Sequence, residues 1–184
     1  NAWVGIPADQ ADAFDDLLSD LGSAIIDEHN TTDPELELSS EECDAPDEVM
    51  DPAFQRMFLR AVQACPNGIY RMSPDVEDLV QTSNNVARIL AEAGKYQVLC
   101  LTRSSVDSEK EDEAKAIQSV FELIGADVTF SGDYPGWTPK PDSKIVSLMR
   151  ELYEKRFNEK PHVNACHAGL ECGILGTNYP TMEM

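Results

Sequence analysis

Basic residues are scarce in this sequence: 14 Lys and Arg stand against 34 Asp and Glu in 184 residues, a formal net charge of −20. A surface of that sign repels nucleic-acid backbones and anionic membranes alike, so neither is expected as a partner. The shortage is most extreme at the start. Residues 1 to 55 carry 16 acidic side chains and no Lys or Arg, and the first basic residue is Arg56. Such a run reads as a solvated acidic face, and it lacks the spacing of a calcium loop. No apolar stretch approaches the roughly 18 residues of a membrane span. Cysteines number five, an odd and irregularly spaced set that fits reduced thiols and a cytoplasmic location better than a disulfide framework. Histidines number only three: His29, His162 and His167.

What is present suffices for a core. The chain is 42% hydrophobic, and its length suits one domain or slightly more, at about 100–200 residues per domain. Trp3–Pro7 reads as a short strand and Ala8 to about Ile26 as a helix with Phe14, Leu17, Leu18 and Leu21 on one face. Glu35–Ser39 alternates like a half-buried strand. Asp51-Pro52 then opens a second helix, with a stripe of Phe54, Met57, Phe58 and Val62 and a stop at Pro66-Asn67-Gly68.

Gln81–Ala91 and Tyr96–Arg103 read as strands joined in an antiparallel hairpin through Glu92-Ala93-Gly94-Lys95. A helix follows, capped by Asp107 or Ser108. It carries Ala114, Ile117, Phe121 and Ile124 toward the core and ends at Gly125. Asp127–Ser131 is a further expected strand. Three prolines and a glycine in Tyr134–Pro141 read as a linker. Ile145, Val146, Met149, Leu152, Tyr153 and Phe157 mark another helix. Val163–Cys166 is expected as a strand before a glycine-rich turn and a helix at Leu170–Leu175. The expected fold class is α+β: a two-layer sandwich of an antiparallel sheet with helices on one face, plus a short α/β piece.

Chemistry-bearing motifs are few. There is no H-E-x-x-H, C-x-x-C, G-x-S-x-G or phosphate-binding glycine loop. His29 and His162 read as ordinary surface histidines, and the Glu41-Glu42 doublet has no apolar context for base catalysis. Cys166-His167-Ala168-Gly169-Leu170-Glu171-Cys172-Gly173 is different, with two thiols, an imidazole and a carboxylate within eight residues at a strand-to-helix turn. A thiol nucleophile there would need its neighbours to converge in space, and the 166/172 spacing matches no usual structural zinc site. Tight-turn packing and a functional loop both fit.

Taken together, Pro66-Asn67-Gly68, Gln81-Thr82-Ser83-Asn84-Asn85-Val86, Leu101-Thr102-Arg103-Ser104, Tyr134-Pro135-Gly136-Trp137 and His167–Gly173 resemble the aminoacyl-histidine dipeptidases, also called peptidase D or cytosol nonspecific dipeptidases. The resemblance runs from Asp51 onward and is loose before it. It implies a fragment of a zinc dipeptidase that hydrolyses Xaa-His and other dipeptides, with two zinc ions per site in the intact parent. Asn1-Ala2 at one end and Tyr179–Met184 at the other fit an excised piece.

On that template residues 3–133 are part of a lid or dimerisation domain, 134–141 a linker and 142–184 part of the catalytic domain. The resemblance places the metal ligands and the general base outside this chain. No metal ligand and no catalytic residue is therefore expected within it, and the piece alone is expected to be inactive. It implies Arg103 as holder of the substrate's C-terminal carboxylate, which a guanidinium fork suits, although a strand-end arginine also pairs readily with surface acids. It further implies His167 and Glu171 as substrate-pocket groups and a homodimer through the lid. A non-catalytic acidic interaction or dimerisation module is the alternative, and a small cysteine hydrolase using Cys166 or Cys172 a third.

Overall fold

The computed structural model describes residues 3–140, 142–167 and 170–184. Asn1, Ala2, Pro141, Ala168 and Gly169 lie outside the described residues. With them go the opening dipeptide, the end of the proline-rich stretch and the glycine turn expected after Cys166.

The chain divides into two compact units, 1–51 and 52–184. In the first, a 3₁₀ turn at Ala8–Gln10 runs into helix α1, Ala11–His29, slightly longer than the periodicity predicts. Its apolar face is thinly covered. Leu17 and Leu21 are more than half exposed, and Leu38 lies across Gly22, the one buried residue of the helix. The strands expected at Trp3–Pro7 and Glu35–Ser39 do not form. Alternation describes a face to bury, but a strand also needs a neighbour for its N–H and C=O groups, and neither segment has one.

In the second unit α2 spans Pro52–Ala64. It starts at the proline whose fixed φ suits a first helical turn. Strand β1, Gly68–Met72, follows, then β2, Val80–Glu92, and β3, Lys95–Ser104. The three form one antiparallel sheet in the order β1-β2-β3. The expected hairpin is present, turning at Ala93 (φ 50°) and Gly94 (φ 71°). Two positive φ values in a two-residue loop make a type I′ turn, whose twist matches that of the strands. A bulge between Val86 and Arg88 shifts the β2–β3 register.

Strand β1 escapes the sequence pattern because Ile69, Tyr70 and Met72 do not alternate, and the whole strand is exposed. Polar ties hold it instead. Tyr70 Oη donates to Asp112 and Arg71 to Glu109, both on helix α3, Asp107–Glu122.

Helices α2 and α3 cover one sheet face. Ala61, Cys65, Ile117 and Phe121 are buried there, with Val86, Val98, Cys100, Val120, Ile124 and Val128 packed around them. Phe54, Phe58 and Tyr96 add an aromatic cluster with centroid separations of 4.8 to 6.1 Å. The cap of α3 is Val106 rather than Asp107 or Ser108. The Asp107 carboxylate is instead turned to Gly136 N and Lys110 Nζ. The strand expected at Asp127–Ser131 is irregular, because Val128 packs on the core without a strand beside it.

Beyond the proline-rich stretch lie α4, Lys144–Phe157, and α5, Leu170–Asn178. Ser143 caps α4 by accepting from Val146 N, and Asn158 closes it in the left-handed region. Val163–Cys166, expected as a strand, is irregular and likewise unpaired. The architecture is α+β, with the three-stranded sheet backed by helices as the sequence pattern anticipates.

Candidate functional site

Side chains alternate across a strand. Val98 and Cys100 face the helices, so Leu99, Leu101 and Arg103 face the other way, and all three are exposed. Register places Ser83 of β2 directly opposite Arg103 of β3, and Ile69 of β1 opposite Ser83. These three residues form a row across the outer face of the sheet.

His167 reaches that row from a stretch 84 residues further along the chain. Its Nε2 lies 3.0 Å from Ser83 Oγ. Burial lowers the imidazole pKa, and the nearby Arg103 charge lowers it further. The ring is thus held neutral where an ordinary histidine would begin to protonate. Asn67, Gly68, Asn85 and His167 line a pocket of about 310 Å³ here, with Ile69 and Ser83 in its wall. Of the three residues singled out in the sequence, Arg103 and His167 come together. Glu171 stands exposed in the first turn of α5 and, among the described residues, makes no ion pair with either.

The inner face beneath this row is polar where a core strand is normally apolar. Glu109 of α3 accepts from Gln81 Nε2 at 2.8 Å, from Thr82 Oγ1 at 2.7 Å and from Arg71 at 2.5 Å. Burial pushes the Glu109 carboxyl up, but these hydrogen bonds and the Arg71 charge outweigh it and leave the pKa lowered. Thr82 has one hydroxyl proton, and it goes to Glu109, so Ser104 donates to Thr82 across 2.7 Å and itself accepts from Val106 N. Asn84 donates to Pro66 O and accepts from Thr102. The network pins β2 and β3 to the start of α3 and so fixes the row on the other face.

A second joint fixes the approach of His167. Lys110 Nζ bonds Asp107, Asp133 and the Tyr134 carbonyl, and lies 5.8 Å from the Tyr134 ring centroid. Gly136 N donates to Asp107 and Thr138 Oγ1 to Ser105 O. Gly136 sits so close to β3's end that a Cβ there would lie 2.6 Å from Ser105 O, and a Cβ on Gly173 of α5 would lie 2.5 Å from Pro135 O. Pro135-Gly136 is therefore clamped between the end of β3 and α5 by main-chain contact, with no room for a side chain.

Sequence reasoning passed over Ser83, Asn67, Asn85 and Glu109 as site residues. The available signal was the run Gln81–Asn85: five consecutive polar residues within a strand leave neither face apolar, which an ordinary core strand avoids. The cysteine reading gains no support. All five cysteines are free, and no hydrogen bond joins Cys166 or Cys172 to His167 among the described residues. Glu41, Glu42, His29 and His162 are exposed. Among the described residues no group of three or more His, Cys, Asp or Glu could hold a metal ion. The described side chains do not by themselves assemble a zinc site, and the resemblance places the zinc ligands outside this chain. No described helix is long and apolar enough to cross a membrane.

In sequence and in fold the chain is similar to a segment of two proteins named as dipeptidases. The chain is 31% identical over 183 residues to the cytosol non-specific dipeptidase of Escherichia coli (strain K12), with all of this chain aligned to 38% of that protein. Its fold superposes on the crystal structure of aminoacylhistidine dipeptidase from Vibrio alginolyticus with a TM-score of 0.90 and 40% identity, covering 97% of this chain and 36% of that one. The chain thus matches a segment of these dipeptidases and spans little more than a third of their length. No family model matches it.

Proposed function

We propose that this chain is a segment of a zinc-dependent cytoplasmic dipeptidase acting on Xaa-His and other dipeptides. In that reading residues 3–133 are part of a lid, 134–141 a linker and 142–184 part of the catalytic domain. Zinc is held by groups outside the chain, and the segment alone does not turn over substrate. Arg103 binds the substrate's C-terminal carboxylate, and His167 and Glu171 line the substrate pocket. The observation that supports this is that His167, which lines the pocket and bonds Ser83, lies within the field of Arg103, the residue opposite Ser83 on the sheet and far from His167 in sequence. A fixed cation beside a neutral imidazole and asparagine amides suits a short peptide, which presents one carboxylate and one amide. A homodimer formed through the lid accords with the exposed Ile69, Leu99 and Leu101 on the same sheet face.

The test is Arg103→Ala in the full-length dipeptidase that contains this segment. Loss of a charged hydrogen-bonded pair should lower kcat/KM for β-Ala-His by about 10- to 100-fold. An unchanged value removes Arg103 from the site. Hydrolysis of β-Ala-His by the 184-residue chain with added Zn²⁺ refutes the placement of the metal ligands elsewhere.

A further inference from the structure

The hydrogen bond between Ser83 Oγ and His167 Nε2 gives the imidazole a direction as well as a place. We propose that Ser83 is a positioning residue for His167: its hydroxyl, fixed on β2 opposite Arg103, donates to Nε2. The ring proton is thereby confined to Nδ1, and that Nδ1–H is kept as a donor for a carbonyl or carboxylate oxygen of a bound dipeptide. Only the last step rests on the dipeptidase reading.

Three observations set the direction of the bond. Serine's single χ1 and its place between two paired strands leave Oγ little freedom, since Ser83 is matched to Ile69 on one side and Arg103 on the other. The side chain opposite it, Arg103, has donors only, so it cannot take the hydroxyl proton. Nε2 is the one acceptor recorded for that hydroxyl among the described residues. The ring, for its part, has one lone pair to offer the hydroxyl, because burial and the Arg103 charge favour its neutral form. A neutral ring that accepts at Nε2 carries its proton on Nδ1.

A peptide oxygen at this pocket would then meet two different donors. Arg103 supplies a charged fork and His167 a neutral N–H whose orientation is fixed by a strand rather than by its own loop. That division suits a substrate with one charged and one uncharged oxygen group.

Imidazole ¹⁵N–¹H correlation spectra of the 184-residue chain test this directly, since only three histidines contribute. The expected spectrum assigns His167 to the Nδ1–H tautomer. Ser83→Ala is expected to release Nε2 and mix the tautomers while leaving the far-UV circular dichroism unchanged, and Ser83→Thr, which keeps the hydroxyl, to restore the wild-type pattern. An Nε2–H ring in the wild type, or a tautomer that Ser83→Ala does not alter, overturns the proposal. Should Ser83→Ala fail to fold, the wild-type tautomer and the Ser83→Thr spectrum decide. Unlabelled β-Ala-His titrated into the labelled chain separates the two layers: a shift at His167 Nδ1, weakened several-fold in Ser83→Ala, supports presentation to substrate. A wild-type Nδ1–H tautomer with no such shift overturns that presentation and the dipeptide reading of the pocket, while the positioning of the ring by Ser83 stands.

Discussion

Glu113 should make the folded state lose stability as pH rises, and replacing it with glutamine should remove that loss. The residue stands four positions before Ile117 and eight before Phe121, on the buried stripe of α3. It is 1% exposed, and neither carboxylate oxygen has a hydrogen-bond partner among the described residues. Burial raises its pKa, and the neighbouring Asp112 charge adds to the effect. The folded state therefore keeps this proton to higher pH than the unfolded chain, where Glu titrates near about 4.3.

The contribution of Glu113 is complete below that unfolded value and is lost as pH climbs through the raised folded value. Between the two, the native state binds up to one extra proton, and stability falls by at most about 1.4 kcal/mol per pH unit. Glu113→Gln cannot ionise and keeps the shape of the side chain. Denaturant unfolding from about pH 4.5 to about pH 8, followed by Trp137 fluorescence in a Trp3→Phe background, reports on the second unit. The difference in stability between the variant and its parent should grow in the variant's favour as pH rises. A difference that stays flat over that range refutes the claim that the fold makes Glu113 harder to ionise.

Arg103→Gln removes the cation beside His167, so the imidazole pKa should rise toward its ordinary value without reaching it, because burial remains; an NMR titration showing no change would break the electrostatic link. Gly173→Ala puts a methyl against the Pro135 carbonyl and should cost about 1–3 kcal/mol, with loss of the His167–Ser83 contact; a wild-type Tm would show that the clamp yields freely. Ala93→Asn places a residue tolerant of positive φ in the type I′ turn and should stabilise the hairpin by about 0.5–1 kcal/mol in denaturant unfolding.

Helices were legible wherever an apolar stripe recurred at helical spacing, as in α2, α3 and α4, and the hairpin declared itself through Ala93-Gly94. The misses share one cause. Trp3–Pro7, Glu35–Ser39, Asp127–Ser131 and Val163–Cys166 each have strand-like composition but no neighbour to pair with, and pairing is a non-local property that composition does not carry. Strand β1 failed in the opposite way, having a partner and no pattern. Glu113 was hidden by its type, although its spacing from Ile117 and Phe121 already put it on the core stripe. For the site, Arg103 and His167 were reached through motif strings, whereas Ser83 became visible only once register set it opposite Arg103.

Where main chain presses on main chain at Gly136 and Gly173, the gap between the sheet's end and the last helix is a fixed gauge, set by atomic radii that no exchange of side chains elsewhere can alter. The pocket's lining can therefore vary while its frame does not. Substitutions at Asn85 or Ile69 would retune what the hollow accepts without re-aiming the arginine and imidazole that flank it.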